Sequence, residues 1–172
     1  FPVKDMLGNI LALIGWFPDE KKYITTPSKY FHRSSLFFGL EQLSTHGREN
    51  VVFVCEGIFD ALSLRSMGYR AYATMGVELS RQKKMLYSIL GNKVVGVSDR
   101  DRVGNSVRDY DRWSCWKYLT WVGEFDMSEV DEENLKIKDI DDLVKLFDPV
   151  ALKEVIDEEL ATNQNKIVKL EL

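Results

Sequence analysis

From Val51 to Cys55 the chain is continuously β-branched and apolar, the pattern of a strand buried on both faces of a parallel sheet. Ile58, Ala61, Leu62 and Met67 then recur at helical spacing up to Gly68, which predicts a helix with a glycine stop. The alternation repeats. Residues 71–75 read as a second strand closed by Gly76, and Ser80 can cap a helix running to about Leu90, where Gly91-Asn92 ends it. Residues 93–97 read as a third buried strand, and a longer helical segment follows from about Val103 to Trp121. Three strand-helix units in succession predict an α/β fold with a mostly parallel central sheet flanked by helices. Ahead of this core, residues 1–16 predict a β-hairpin turning at Leu7-Gly8-Asn9. Pro18-Asp19 and Thr25-Thr26-Pro27-Ser28 punctuate a loop, and Leu36 to Leu43 reads as a short helix. Behind the core come a strand at 124–127, an acidic loop, helices from about Ile140 and Pro149, and an edge strand over 166–172.

Composition narrows the class. The chain has 172 residues, of which 45% are hydrophobic and 12% aromatic, enough for one packed domain with a small appendage. No apolar run approaches the roughly 20 residues of a membrane span, and no signal-peptide pattern is present. Cys55 and Cys115 lack metal-ligand spacing and read as reduced core thiols of a cytoplasmic protein. A net charge of −4 argues against a stand-alone duplex-DNA binder. The imbalance is local: residues 123–160 hold fourteen acids against four bases, whereas the first fifty hold six bases and five acids. A nucleic-acid surface is therefore expected on the N-terminal half, and clustered acids elsewhere call for cations.

Open parallel sheets bind ligands beyond the carboxyl ends of their strands. Glu56-Gly57 directly follows the Val51 strand, and Asp99-Arg100-Asp101 directly follows the strand at 93–97. Side chains two apart in an extended segment point the same way, so Asp99 and Asp101 are placed to share a cation. Such hard oxygen donors suit Mg²⁺ or Mn²⁺. Asp99 is equally a good helix N-cap, and a lone Glu56 is more often a surface acid. The conjunction favours the metal reading, because Gly57 admits close backbone approach and Asp60 lies one helical turn on. His32 and His46 show no metal spacing and read as structural. Tyr110, Trp113, Trp116, Tyr118 and Trp121 share one helical segment, where packing outweighs base stacking.

Three stretches together resemble the Toprim domain shared by primases, topoisomerases and some nucleases: Val54-Cys-Glu56-Gly57-Ile-Phe-Asp60-Ala-Leu-Ser-Leu64, Ala73-Thr-Met-Gly76, and Val97-Ser-Asp99-Arg-Asp101-Arg-Val-Gly104. The resemblance implies that Glu56, Asp99 and Asp101 are catalytic metal ligands. Phe1-Pro-Val-Lys-Asp5, Tyr23-Ile-Thr-Thr-Pro27 and Phe31-His-Arg33 resemble the segment that precedes Toprim in bacterial and phage replicative primases of the DnaG type. Asp139-Ile-Asp141-Asp-Leu-Val144 resembles the second acidic pair of those enzymes, which adds Asp139 and Asp141 to the metal set. Lys22, Arg33, Asp60 and Arg100 are then expected at nucleotide or template. Two departures stand out: Arg100 lies where the family commonly has glycine, and Lys138 and Ile140 replace the usual glutamate and proline. Asp139 to Asp142 also suit the start of a helix on electrostatic grounds alone.

The resemblance implies a partial N-terminal subdomain over 1–50, a Toprim core over 51–130, and an acidic motif with a helical tail over 131–172. It implies an enzyme that makes short RNA primers on a single-stranded DNA template from ribonucleoside triphosphates, with Mg²⁺ or Mn²⁺. A replicative helicase and a zinc-binding region outside this segment are the expected partners, in the cytoplasm of a bacterial cell, with phage origin favoured by the divergent second motif. A Toprim nuclease, or a non-catalytic nucleic-acid-binding module of the replisome, are the alternatives. A topoisomerase is disfavoured, because no nucleophilic tyrosine domain is recognisable.

Overall fold

The computed structural model describes residues 1–43, 49–76, 81–97 and 139–162. Its centre is a parallel sheet of β4 (Glu49–Cys55), β5 (Ala71–Ala73) and β6 (Gly91–Val97), in the order β5-β4-β6. Helix α1 (Ile58–Ser66) joins β4 to β5, and α2 (Arg81–Leu90) joins β5 to β6. The strand that comes first in the chain thus lies between its two successors. The period of two explains why β4 reads as an unbroken apolar run. Val52 and Val54 pack on one side with Phe37, Leu40, Tyr72 and Leu90. Phe53 and Cys55 pack on the other with Ile58, Ala61 and Leu64 of α1. The carboxyl ends are in register, with Cys55 opposite both Ala73 and Val97.

Two C-terminal helices complete the second layer. Helix α3 (Ile140–Leu146) buries Ile140 and Leu143, and α4 (Pro149–Thr162) buries Leu152 and Ile156, all in the cluster that holds α1. Asp148 starts α4 by accepting the N–H groups of Val150 and Ala151 at 2.9 and 3.1 Å. The Tyr69 hydroxyl donates to Asp157 on α4 at 2.7 Å, which ties the turn after α1 to that helix.

The N-terminal residues form an antiparallel sheet of β1 (Pro2–Lys4), β2 (Ile10–Phe17) and β3 (Lys22–Thr25). The expected hairpin is present, and its turn is closed by Asp5, whose Oδ1 accepts from the N–H groups of Leu7 and Asn9. Strand β3 is a correction to the sequence reading, which ran this stretch as loop. It pairs Trp16 with Tyr23 and Ile14 with Thr25. The inner face, Val3, Ala12 and Ile14, joins the core shared with α1, and Phe1, Trp16 and Tyr23 meet Phe59 of α1 in edge and tilted ring contacts.

A second correction concerns residues 36–43, which do not begin as a helix. Phe38 exchanges both main-chain hydrogen bonds with Ala73, adding a bridge beside β5. Gly39 follows at φ +97°, a value open to glycine, and a Cβ there would collide with the Arg65 guanidinium that donates to the Ala71 carbonyl. The segments expected as elements at 103–121, 124–127 and 166–172 lie outside the described residues.

Leu64 is fully buried where α1 meets the sheet. Leu64→Ala is expected to destabilise the protein by about 2–5 kcal/mol. The check is a lowered urea midpoint at unchanged m-value.

Candidate active site

Beyond β4 the chain turns from strand to helix through Glu56 and Gly57, and the neighbouring β5 turns through Thr74, Met75 and Gly76. The two turns are bonded together. The Thr74 N–H and hydroxyl both donate to the Cys55 carbonyl, at 2.8 and 3.2 Å, and the Met75 N–H donates to the Glu56 carbonyl at 3.0 Å. Met75 is held at φ +59°, an unfavourable left-handed conformation for a non-glycine residue. The buried ammonium of Lys83, on α2, donates to the Thr74 carbonyl behind this turn. Glu56 thus projects from a braced main chain at the strand end where a parallel sheet binds ligand.

In front of this edge lies a cavity of about 240 Å³. Glu56, Gly57, Ile58, Met75 and Gly76 form one wall, and Ile14, Tyr23, Thr25 and Arg33 form the other. The lining residues with polar side chains are thus Glu56 from the parallel sheet and Tyr23, Thr25 and Arg33 from the N-terminal half. Arg33 begins a single 3-10 turn, Arg33–Ser35, that follows β3. Tyr23 and Thr25 stand two apart on β3 and so share a face. Their place at the site was not foreseen, because a segment read as loop offers no alternation to exploit.

Asp60 lies beneath the cavity rather than on it. It is 5% exposed on the first turn of α1, and its Oδ1 accepts the main-chain N–H of Asp141 at 3.2 Å. Its Oδ2 crowds Gly57, where a Cβ would approach to 2.5 Å, so glycine leaves room for the carboxylate. One turn further on, Ser63 donates to Asp141 Oδ1 at 3.0 Å. Lys145, four residues after Asp141 on α3, pairs with Oδ2 at 2.5 Å. That hydrogen bond is the main cause that raises the Lys145 ammonium above its ordinary pKa, with the charges of Asp142 and Asp139 adding to it. Neither Ser63 nor Lys145 was singled out from the sequence, although their spacings of three from Asp60 and four from Asp141 put each pair on one helix face.

Asp139 is the N-cap of α3, its Oδ1 accepting the Asp142 N–H at 2.9 Å. Lys22 is exposed on β3, lies 3.5 Å from Glu20, and does not line the cavity. Asp99, Arg100 and Asp101 lie outside the described residues. Val97, two residues before Asp99, pairs with Cys55 next to Glu56.

Glu56 and Asp141, on two different elements, each offer the hard carboxylate oxygens that a divalent cation takes. Among the described residues no three His, Cys, Asp or Glu side chains gather into a complete metal cluster. Nor is any helix among them long and apolar enough to cross a membrane.

Residues 53–110 match the family model of Toprim-like domains. No curated protein matches the chain in sequence. Among solved structures, a DnaG primase catalytic domain bound to single-stranded DNA is similar with a TM-score of 0.68 at 20% identity, over 92% of this chain and 50% of that one. The E. coli primase catalytic core is similar with a TM-score of 0.66 at 21% identity, over 92% and 51%. The primase fragment of the bacteriophage T7 primase-helicase protein gives 0.62 at 16% identity, over 89% and 61%. The chain thus spans about half the length of the first two structures. Over the shared span it has the fold of those primase catalytic cores, and residues 53–110 within it are the stretch similar to Toprim-like domains.

Asp139→Ala removes the cap of α3 and is expected to cost about 1 kcal/mol, whereas Asp139→Asn, a comparable cap, costs far less. Chemical denaturation of the two variants beside wild type checks the ordering.

Proposed function

We propose that this Toprim-like chain is the catalytic core of a DNA primase, a nucleotidyltransferase that joins ribonucleotides into short primers on single-stranded DNA. The observation that carries the reading is the cavity shared by Glu56 and Arg33. A nucleoside triphosphate presents a polyanion that needs a cationic partner, and a reacting phosphate that needs a metal held by carboxylates. A cavity with one pole of each kind, at the carboxyl edge of a primase-type fold, offers both. It also places the basic contribution on the N-terminal half, where the charge distribution of the chain puts its surplus of bases over acids.

Glu56, Asp99 and Asp101 are assigned as metal ligands, with Asp141 assisting. Bound Mg²⁺ or Mn²⁺ would supply Lewis acidity, lowering the pKa of the attacking 3′-hydroxyl and offsetting the charge of the triphosphate. The residues of the chain do the rest. Arg33 offers a planar guanidinium for bidentate hydrogen bonds to phosphate oxygens. Tyr23, in ring contact with Trp16 and Phe59, gives the cavity a rigid aromatic wall. Lys22, exposed on the same strand, is assigned to a template phosphate, a contact that positions without reading sequence. Arg100, between the two aspartates in the sequence, supplies a further positive charge for phosphate. Asp60 acts from beneath, by holding the start of α3. Asp139, which caps α3 through Oδ1, is assigned beside Asp141 as the other carboxylate of the second acidic pair.

A zinc-binding region and a replicative helicase, both outside this chain, are the partners such a core works with. The solved Aquifex aeolicus primase, 24% identical, includes zinc-binding and RNA polymerase domains, and the T7 protein is a primase-helicase.

The test incubates the protein with single-stranded templates, ribonucleoside triphosphates and Mg²⁺ or Mn²⁺, resolving new oligonucleotides and template fragments on one gel. Short ribonucleotide products are expected, reduced about 10²-fold or more in Glu56→Gln and Asp99→Asn. Template fragments without synthesis, lost in the same variants, would replace the primase reading with a nuclease. A fully active Asp99→Asn protein would sink the metal assignment. For Arg33→Ala, loss of a charge-assisted phosphate contact is expected to raise the nucleotide KM about tenfold, measured in the same assay across triphosphate concentrations.

A further inference from the structure

We infer that Ser63 is a positioning residue for the second acidic element: its hydroxyl, presented from the buried side of α1, sets the Asp141 carboxylate for a divalent cation. The inference deepens the proposed function and rests on its assignment of Asp141 as an assisting ligand.

Serine is an indifferent choice for the interior of a helix, because its hydroxyl competes for the helix's own carbonyls. Position 63 is 8% exposed, beside Leu64 and two residues from Ala61, both wholly buried. Alanine there would serve packing and helix propensity at least as well. What serine adds is a donor, and the structure directs it to Asp141 Oδ1, 78 positions away in the chain, at 3.0 Å.

The contact is one of a pair. Asp60 and Ser63, three residues apart on one face of α1, take hold of Asp141 twice. The Asp60 carboxylate receives its main-chain N–H, and the Ser63 hydroxyl binds its side chain. The first contact places the residue and the second orients its carboxylate. Each carboxylate oxygen accepts at two lone-pair positions, so the bond from Ser63 leaves Oδ1 a position for a cation. The contact on Oδ2 is different in kind. Lys145 is 64% exposed on a flexible stem, and such surface pairs are weak and exchangeable. Of the two contacts on the Asp141 carboxylate, the one from Ser63 is the sheltered one, as outer-shell partners of metal-binding carboxylates are.

The test measures Mn²⁺ binding, by the electron paramagnetic resonance signal of free Mn²⁺, to wild type, Ser63→Ala, Ser63→Thr and Asp141→Asn, with a thermal melt of each. Ser63→Ala is expected to weaken, about tenfold, the same binding that Asp141→Asn weakens. Its melting temperature should stay near that of wild type, and Ser63→Thr, which keeps a hydroxyl, should recover most of the affinity. Wild-type Mn²⁺ affinity in Ser63→Ala, with Asp141→Asn impaired, would overturn the inference and leave the metal assignment standing. A loss in Ser63→Ala that Ser63→Thr does not recover would also overturn it, by tracing the effect to helix packing. Unchanged binding in Asp141→Asn would remove Asp141 from the metal site, and the inference with it.

Discussion

A strand covered on both faces has only its ends to offer to solvent, and β4 ends in Glu56. Four successive side chains of that strand, Val52 to Cys55, are buried alternately against α1 and against the Phe37–Leu40 side. None can turn outward without emptying a core position, so the register of β4 is set several times over. The direction in which the chain emerges is set with it. The Cys55 and Glu56 carbonyls are then engaged by Thr74 and Met75, which holds the neighbouring turn in a conformation a free chain would rarely adopt. Such strain persists where the surroundings over-determine it, and places of that kind concentrate at functional sites.

Helix α1 transmits this order to the rest of the molecule, because its nine residues face three ways. Ile58, Ala61 and Leu64 lie in the core with the sheet, Phe59 meets the aromatic rings of the N-terminal strands, and Asp60 with Ser63 receives α3. Two parts of the chain more than a hundred residues apart are thereby brought to one strand end, Arg33 in front of it and Asp141 beside it. The N-terminal strands reach α1 through Phe59, and α3 reaches it through Asp60 and Ser63.

The contrast between what was readable and what was not follows the range of the interactions. The elements of the parallel sheet were legible to within about two residues, because burial on both faces writes an unbroken apolar run and helix packing writes a 3.6-residue period. Glu56 was legible for the same reason, as an acid abutting such a run. Strand β3 was not, because its four residues sit between turn-forming prolines and owe their conformation to pairing with β2. The Phe38 bridge was missed likewise: an apolar run beside a glycine looks like a helix until a partner strand claims its hydrogen bonds. The meeting of Glu56 with Arg33, and of Ser63 with Asp141, is a property of the fold rather than of any window of sequence.

The divergent second acidic motif shows how one geometry can be reached by different means. The resemblance to primases of the DnaG type implies proline at the position of Ile140, the first residue of α3, where a locked φ favours helix initiation. Isoleucine gives up that restraint, and three features of this chain stand in for it. The Ile140 side chain is 2% exposed in the core shared with α1, which contributes about 1.5–3 kcal/mol of burial. Asp139 caps the helix, and Asp60 receives the N–H of the residue that follows Ile140. Packing and hydrogen bonds thus orient the turn that a ring would otherwise orient covalently.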